Sequence, residues 1–254
     1  MISVSVVSHG QRDIALEFLR KVAFLKPTMV SRIVYTCNVP EEALPALDFG
    51  HIELQVIRNA RPQGFGENHN AAFRHSREPY FCVVNPDIVL DTDPFPALLD
   101  CFSDSALGLV APLVTTPSHR IENTARSLYT PVELLSQKLR PRNLGPDSDW
   151  LAGMFLLFRS EAFRAVHGFD EGYFLYIEDV DICTRLRVSG WKLRQCQDAQ
   201  VVHDARKSSH RSLRYTTWHL GGMLRYWRSP TFWRFRRLLQ KDRAARSAAS
   251  GRLD

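Results

Sequence analysis

The sequence predicts an α/β fold: a mostly parallel central sheet flanked by helices, with a C-terminal basic amphipathic helical extension. Three observations predict it. Short β-branched runs alternate with a helical-period run near the start. Acids and a histidine fall just past several strand-like runs. Basic residues concentrate at the end, where 13 Lys/Arg stand against 3 Asp/Glu from Asp204 onward, while the preceding stretch holds 20 against 24. The body is therefore mildly acidic and the extension strongly basic, which suits an anionic partner surface.

The bulk composition is that of a globular protein: 254 residues, 44% hydrophobic, 24% charged. No apolar run approaches the ~20 residues that span a bilayer. The start, Met-Ile-Ser-Val-Ser-Val-Val-Ser, has no basic region before its apolar stretch and is not read as a signal peptide. The five cysteines (37, 82, 101, 183, 196) form no Cys-x-x-Cys pair. That spacing argues against a zinc site and against a disulfide framework, and fits a reducing cytosol.

Residues 2–8 read as a buried strand through Val4, Val6 and Val7, and His9-Gly10-Gln11 turns the chain. Apolar positions 14, 15, 18, 19, 22 and 25 make a helical stripe, ended by Pro27. Runs 31–36 and 52–57 are the next strands. Strand, helix, strand at this spacing is a βαβ unit, whose crossover makes the strands parallel. A loop from Asn59 carries Gly64-Phe65-Gly66 and opens a helix at 67–76. Glycines at a helix N-terminus can cradle a phosphate, or can simply supply turn geometry. The loop lacks the third glycine of a dinucleotide fingerprint and the Gly-Lys-Ser/Thr of a P-loop.

Strand 80–84 runs into Asn85-Pro86-Asp87, an acid at the strand end where open α/β sheets bind ligands. Asp87 there suits a hard cation, or is a solvated turn residue. Helix 94–102 and strand 107–112 follow. Residues 115–149 read as a long functional loop with one short helix at 131–139. Asp149-Trp150-Leu151-Ala152-Gly153 leads into strand 155–158, then a helical turn at 160–166 capped by Ser160. Residues 173–187 place Glu178, Asp179 and Asp181 directly after an aromatic and aliphatic run. Acids beside apolar surface need a cation, a donor or a proton, although acids also suit a helix's first turn. Asp181 and Arg185 are an i, i+4 pair. Helix 181–189 ends at Gly190, and short strands follow at 191–196 and 200–203, the last ending on His203. In the extension, Leu213, Thr216, Thr217, Leu220, Leu224 and Trp227 share one helical face, and Phe232, Phe235, Leu238 and Leu239 repeat the pattern. Such basic, aromatic-rich helices suit a membrane interface or a second subunit.

Together these pieces resemble glycosyltransferase family 2, inverting enzymes of the GT-A fold (a Rossmann-like arrangement), and within it the bacterial rhamnosyltransferase-like branch. The resemblance covers about residues 2–210. It rests on Asn59…Gly-Phe-Gly-x-Asn68-x-Asn70, Asn85-Pro-Asp87, Asp149-Trp-Leu-Ala-Gly153, Gly168-Phe-Asp-Glu171 with the Glu178-Asp179-Val-Asp181…Arg185 segment, and Val-Val-His203, in that order. It implies a divalent cation, Mn²⁺ or Mg²⁺, with Asp87 and His203 as its ligands and Asn85 where an acid is often found. Asp179 resembles the general base. Glu178 and Asp181 would support it or bind acceptor, Arg185 would pair with an acid, and Asp149, Trp150 and Gly153 would line the pocket. Ser8, Asn38, Asn59, Gly64, Phe65, Gly66, Asn68, Asn70 and Asn85 would bind the nucleotide-sugar. The second strand ends Thr36-Cys37-Asn38 where the family usually has Asp-Asn, and the first ends Ser8-His9-Gly10 rather than Thr/Ser-Tyr-Asn. Uracil and thymine therefore both stay open.

The expectation is a cytoplasmic enzyme, peripheral on the inner membrane, moving a sugar such as rhamnose from a dTDP- or UDP-donor to a lipid-linked or growing surface polysaccharide. Residues 1–210 would form the catalytic domain, 211–240 the tail contacting membrane or a homodimer partner, and 241–254 a disordered end. Nucleic acid is not expected as a partner. A nucleotidyltransferase is the rival enzyme, and a silent glycan- or polyanion-binding protein the rival outside catalysis. Deleting residues from about 211 onward separates these readings: a binding module should fail, while an enzyme should keep turnover on a soluble acceptor.

Overall fold

The computed structural model describes residues 1–128, 148–204 and 213–250. The helix expected at 131–139 lies outside them. The elements run β1 (Ile2–Ser8), α1 (Arg12–Leu25), β2 (Val30–Cys37), β3 (Glu53–Arg58), α2 (Phe65–Phe73), β4 (Tyr80–Val84), β5 (Ile88–Val89), α3 (Phe95–Asp100), β6 (Leu107–Thr115), β7 (Ala125–Arg126), β8 (Trp150–Leu151), β9 (Phe155–Arg159), α4 (Ser160–Ala165), α5 (Glu178–Val188), β10 (Lys192–His203), α6 (Leu213–Arg228) and α7 (Pro230–Ser250).

The main sheet has eight strands in the order β3-β2-β1-β4-β9-β6-β10-β5. β1 is parallel to β2 and β4, and β2 to β3. β9 runs against both β4 and β6, and β10 lies parallel to β6. The carboxyl ends of β1, β2, β4 and β10 therefore share one edge with the start of β9. Alternation along β2 divides the core: Ile33 and Tyr35 face a cluster with Phe18, Leu19, Phe95 and Phe155, while Val34 faces Phe81, Phe158, Phe163 and Ile182. Period-2 strands buried on both faces account for the near-continuous apolar runs.

Several boundaries differ from the sequence reading. The two short strands at 191–196 and 200–203 are one strand, β10, with an irregular register between Cys196 and Gln200. Ser160 does not cap α4; its Oγ donates to the carbonyl of Glu78 at 2.6 Å. α5 begins at Glu178, three residues early, so all three acids occupy its first turn. Cys101 and Cys196 form a disulfide across 95 residues, where none was expected. No spacing signal marks it, because the fold rather than a local motif brings the two together. α7 continues to Ser250, past Lys241 where disorder was expected; the alanines and arginines there are strong helix formers.

The helical extension packs onto the domain. Phe232, Phe235 and Leu239 bury against Leu128, Tyr173, Val180 and Tyr226. The Tyr226 hydroxyl lies 2.6 Å from Thr184 Oγ1 of α5, and Arg225 Nη2 pairs with Asp170 at 3.0 Å. The face of α6 that docks carries Tyr215, Trp218, Gly222 and Tyr226. On the face picked out in the sequence, Leu220 and Leu224 point outward, 55% and 49% exposed, while Trp227 packs against the buried cluster. Both faces carry apolar residues, and the aromatic one wins because α5 offers its tyrosine a hydroxyl partner.

Candidate active site

The shared sheet edge opens on a cavity of about 400 Å³. Its walls include Asn38 after β2, Asn68 and His69 of α2, Asp87 after β4, Gly153 before β9, Glu178 and Asp179 of α5, and His203 at the end of β10. Ligands collect at this edge in open α/β sheets because loops after parallel strands converge there. A second groove, about 440 Å³, lies between α1 and residues 86–89 and is mainly apolar. Its wall holds none of the α5 acids, so the chemistry belongs to the first cavity.

Asp87 is 4% exposed. Its Oδ2 lies 3.3 Å from His203 Nε2, while its Oδ1 is buried without a hydrogen-bond partner. The other ring nitrogen of His203 sits 3.2 Å from Glu122 Oε2. Burial disfavours the charged imidazole, but Asp87 and Glu122 outweigh it and raise the His203 pKa. An orphaned carboxylate oxygen beside an imidazole whose far side is held by a second carboxylate fits a divalent cation. Among the described residues no group of three or more acids, histidines or cysteines is set to hold a metal ion. Two protein ligands suit a hard cation that keeps waters and substrate phosphates for the rest.

Asp179 is held by two backbone donors, Gly153 N–H to Oδ2 at 3.0 Å and Val180 N–H to Oδ1 at 2.8 Å. Burial raises its pKa, against the lowering effect of those two bonds. Glu178 is 5% exposed, with Oε2 unpartnered. Its pKa is pushed well up, by burial first and then by the neighbouring Asp179 charge. Two adjacent acids of this kind place one proton between them more readily than two charges. The turn before them is strained: Tyr176 and Ile177 have φ of 70° and 73°. A β-branched residue at positive φ is rare and costs energy, and such outliers gather at sites. Gly153 allows the approach, since a Cβ there would stand 3.3 Å from the Asp179 Cβ.

The opposite wall is an amide network. Asn38 Oδ1 accepts from Gln63 N–H at 2.8 Å and Asn59 Nδ2 at 2.9 Å, and Asn59 also donates to Asn68 at 2.7 Å. Asn38, Phe65 and Asn68 reach the cavity, whereas Asn59 works from behind. The glycine loop does less for a phosphate than for packing. Phe65 N–H, at the start of α2, is taken by the Phe174 carbonyl at 2.8 Å. A Cβ on Gly64 would meet the same carbonyl at 3.0 Å, and one on Gly66 would stand 2.6 Å from the Phe169 Cβ.

Several expected site residues lie off the cavity and hold neighbouring chain, which for Asp181 and Arg185 is the pairing their spacing predicts. Ser8 Oγ donates to Glu41 at 2.6 Å. Asn70 clamps Phe169 through its backbone N–H and carbonyl, both at 2.9 Å. Asp149 Oδ2 receives Leu128 N–H at 2.8 Å, and Trp150 Nε1 donates to Ser127 at 3.1 Å. Asp181 pairs with Arg185 at 2.7 Å, and the same guanidinium donates to the carbonyls of Val166 and Gly168. None of these lines the cavity. Arg185→Met is expected to destabilise the fold by roughly 3 kcal/mol, because it strands a buried carboxylate; a lower denaturation midpoint with an unchanged slope is the readout. Conversely, the sequence reading passed over Glu122, His69, Tyr215 and Trp218. Glu122 sits in a polar loop with no distinguishing neighbours, and only the fold brings it to His203.

The model of the family described as "Glycosyltransferase like family 2" matches residues 2–219. The chain belongs to glycosyltransferase family 2. As such it is a nucleotide-sugar-dependent glycosyltransferase of the GT-A fold. It is 26% identical over 255 residues to the rhamnosyltransferase WbbL of Escherichia coli K12, covering 89% of this chain and 92% of that protein. It is 30% identical over 186 residues to the N-acetylglucosaminyl-diphospho-decaprenol L-rhamnosyltransferase of Mycobacterium tuberculosis, covering 63% of this chain and 61% of that one. Among solved structures, GalNAc-T7 with UDP, GalNAc and Mn²⁺ superposes with a TM-score of 0.61 at 18% identity, over 80% of this glycosyltransferase and 43% of that chain. The Pyrobaculum calidifontis mannosyltransferase PcManGT with GDP-Man and Mn²⁺ gives 0.59 at 13% identity, over 87% and 62%. These two establish shared fold.

Proposed function

We propose that this glycosyltransferase moves rhamnose, with inversion, from a dTDP- or UDP-sugar to a lipid-linked or growing glycan at the cytoplasmic face of the inner membrane. The observation that carries the reading is Asp179, a raised-pKa carboxylate fixed by two backbone donors in the cavity that Asp87 and His203 also line. The names of the two relatives, one of them matched over 92% of its length, support rhamnose as the sugar.

In the reaction the acceptor hydroxyl oxygen attacks the anomeric carbon from the face opposite the nucleotide. Asp179 takes the hydroxyl proton as the new C–O bond forms. The anomeric carbon–phosphate oxygen bond breaks, and its electron pair leaves with the nucleoside diphosphate. Asp87 and His203 would hold a divalent cation, which would offset the charge of that diphosphate. Asn38 and Asn68 fix the shape of the nucleoside's wall through their bonds to Gln63 and Asn59. Burial and the neighbouring Asp179 charge push the Glu178 pKa well up, which favours one charge over two on the pair. The raised pKa of Asp179 makes that base stronger than a free carboxylate.

The outward leucines of α6, 220 and 224, beside arginines of a basic extension, suit an anionic lipid surface. The test of the whole reading is transfer from dTDP-rhamnose and UDP-rhamnose to N-acetylglucosaminyl diphosphate carried on a short isoprenoid. The expected product has an inverted anomeric centre. Retention of configuration, or no transfer from either nucleotide, overturns it.

A further inference from the structure

The acid side of the cavity has a wall made by the extension rather than by the sheet. Tyr215 and Trp218 of α6 line the same cavity as Glu178 and Asp179. Trp218 lies over Phe174, ring centroids 4.7 Å apart at 33°, and Tyr215 meets Trp218 edge-on at 5.4 Å and 90°. Tyr176 closes the group, 6.3 Å from Tyr215. Phe174 and Tyr176 remain 36% and 40% exposed. Large aromatic surface left open beside a polar reaction centre marks a place for a ligand with an apolar face.

The position of α6 is set closely. A Cβ on Gly222 would stand 3.1 Å from Ile177 Cγ1 and 3.2 Å from the Tyr176 carbonyl. The helix therefore rests directly on the strained turn that launches Glu178 and Asp179. Further along, Tyr226 and Arg225 fasten it to α5 and Asp170. Aromatic rings fixed in this way lose little conformational freedom when a ligand arrives.

We propose that Trp218 and Tyr215, with Phe174 and Tyr176, form the platform on which the acceptor's pyranose ring stacks. The C–H face of a pyranose is apolar, and its hydrogens meet the electron-rich faces of the rings. Its hydroxyls then project sideways, toward Asp179. Asn38 and Asn68 line a polar part of the cavity, held by Gln63 and Asn59; the aromatic wall matches a sugar's ring face. This inference rests on the glycosyltransferase reading above and extends it by assigning the acceptor subsite to the helical extension.

The test uses the full chain, with dTDP present, and N-acetylglucosaminyl diphosphate on a short isoprenoid as the probe. Trp218→Ala is expected to weaken probe binding by calorimetry, and to raise its KM, by about tenfold or more. Trp218→Phe keeps a ring and should recover most of that loss. Binding of dTDP alone should be unchanged in both, which also reports that they are folded. Equal probe affinity in all three proteins overturns the platform, as does a loss confined to dTDP, or a wild type that does not bind the probe. If probe binding depends on Trp218 but no sugar is transferred, the platform stands and the functional reading falls. If sugar is transferred with the same acceptor KM in Trp218→Ala as in the wild type, the functional reading stands and the platform falls.

Discussion

Asp179→Asn is expected to lower sugar transfer by about 10²–10⁴-fold, the usual contribution of a positioned base. The substitution keeps shape and removes proton affinity. One structural cost comes with it. Asp179 accepts from both Gly153 N–H and Val180 N–H, and an amide has only one oxygen to offer them. One donor is left facing an NH₂ group, a loss of about 1–3 kcal/mol of stability. A thermal melt with bound nucleotide separates that loss from the chemical one. The pH dependence supplies the second check. Burial raises the Asp179 pKa, and Glu178 beside it is raised as well. The base works only when ionised, so transfer in the wild type falls as pH drops through the raised pKa of the pair, an acid limb above the usual carboxylate value of about 4. The same shifts act on stability with the opposite sign. A carboxyl whose folded pKa is raised favours the fold while protonated, and that contribution is lost as pH rises through the folded pKa. The pH range that activates the site is the one that loosens it. In Asp179→Asn the part of the acid limb that belongs to the acid pair should disappear; near-normal transfer by the folded mutant would remove Asp179 from the role.

The sequence made the scaffold legible because its strands are buried on both faces. Runs such as Ile2–Ser8 and Tyr80–Val84 carry no competing helical period, and their boundaries stand as read. Asp87, Glu178, Asp179 and His203 were legible as candidates for a related reason, unlike Glu122: each follows a strand or opens a helix, and parallel topology sends those ends to one edge. What could not be read was side-chain direction in irregular segments. The Asn59–Asn70 loop looks uniformly polar, yet Asn68 faces the cavity and Asn70 turns away to clamp Phe169. The extension shows the same limit on a helix. α6 is apolar on more than one side, and amphipathicity alone does not say which side docks. Its aromatic face turns inward through Tyr226 and Gly222, which places Trp218 in the cavity. A chain cut near 211 would lose that wall as well as a surface, so the expectation that such a fragment keeps turnover no longer follows.

Chelation of divalent cations is expected to abolish transfer, with recovery on adding Mn²⁺ or Mg²⁺, and Asp87→Ala to lower it about 10³-fold without recovery, since electrostatic help to a leaving diphosphate contributes several kcal/mol. The geometry allows one competing account. Asp87 and His203 lie 3.3 Å apart and on their own would make a buried ion pair, with the raised His203 pKa as its consequence. That account leaves Asp87 Oδ1 buried and unsatisfied, which is costly for a carboxylate. Glu122 on the far side of the ring fits both accounts, since a second carboxylate stabilises an imidazolium and also fixes a ligating histidine's tautomer. The two accounts separate without any sugar being transferred. If the pair is a ligand set, Mn²⁺ raises the melting temperature of the wild type by mass action and has no effect on Asp87→Ala. Glu122→Gln should then weaken the Mn²⁺ response by about 10–100-fold in affinity, the usual penalty for a lost supporting carboxylate. If the pair is only an ion pair, Mn²⁺ leaves the wild-type melt where it was, EDTA leaves transfer intact, and Asp87→Ala costs stability through a stranded imidazolium.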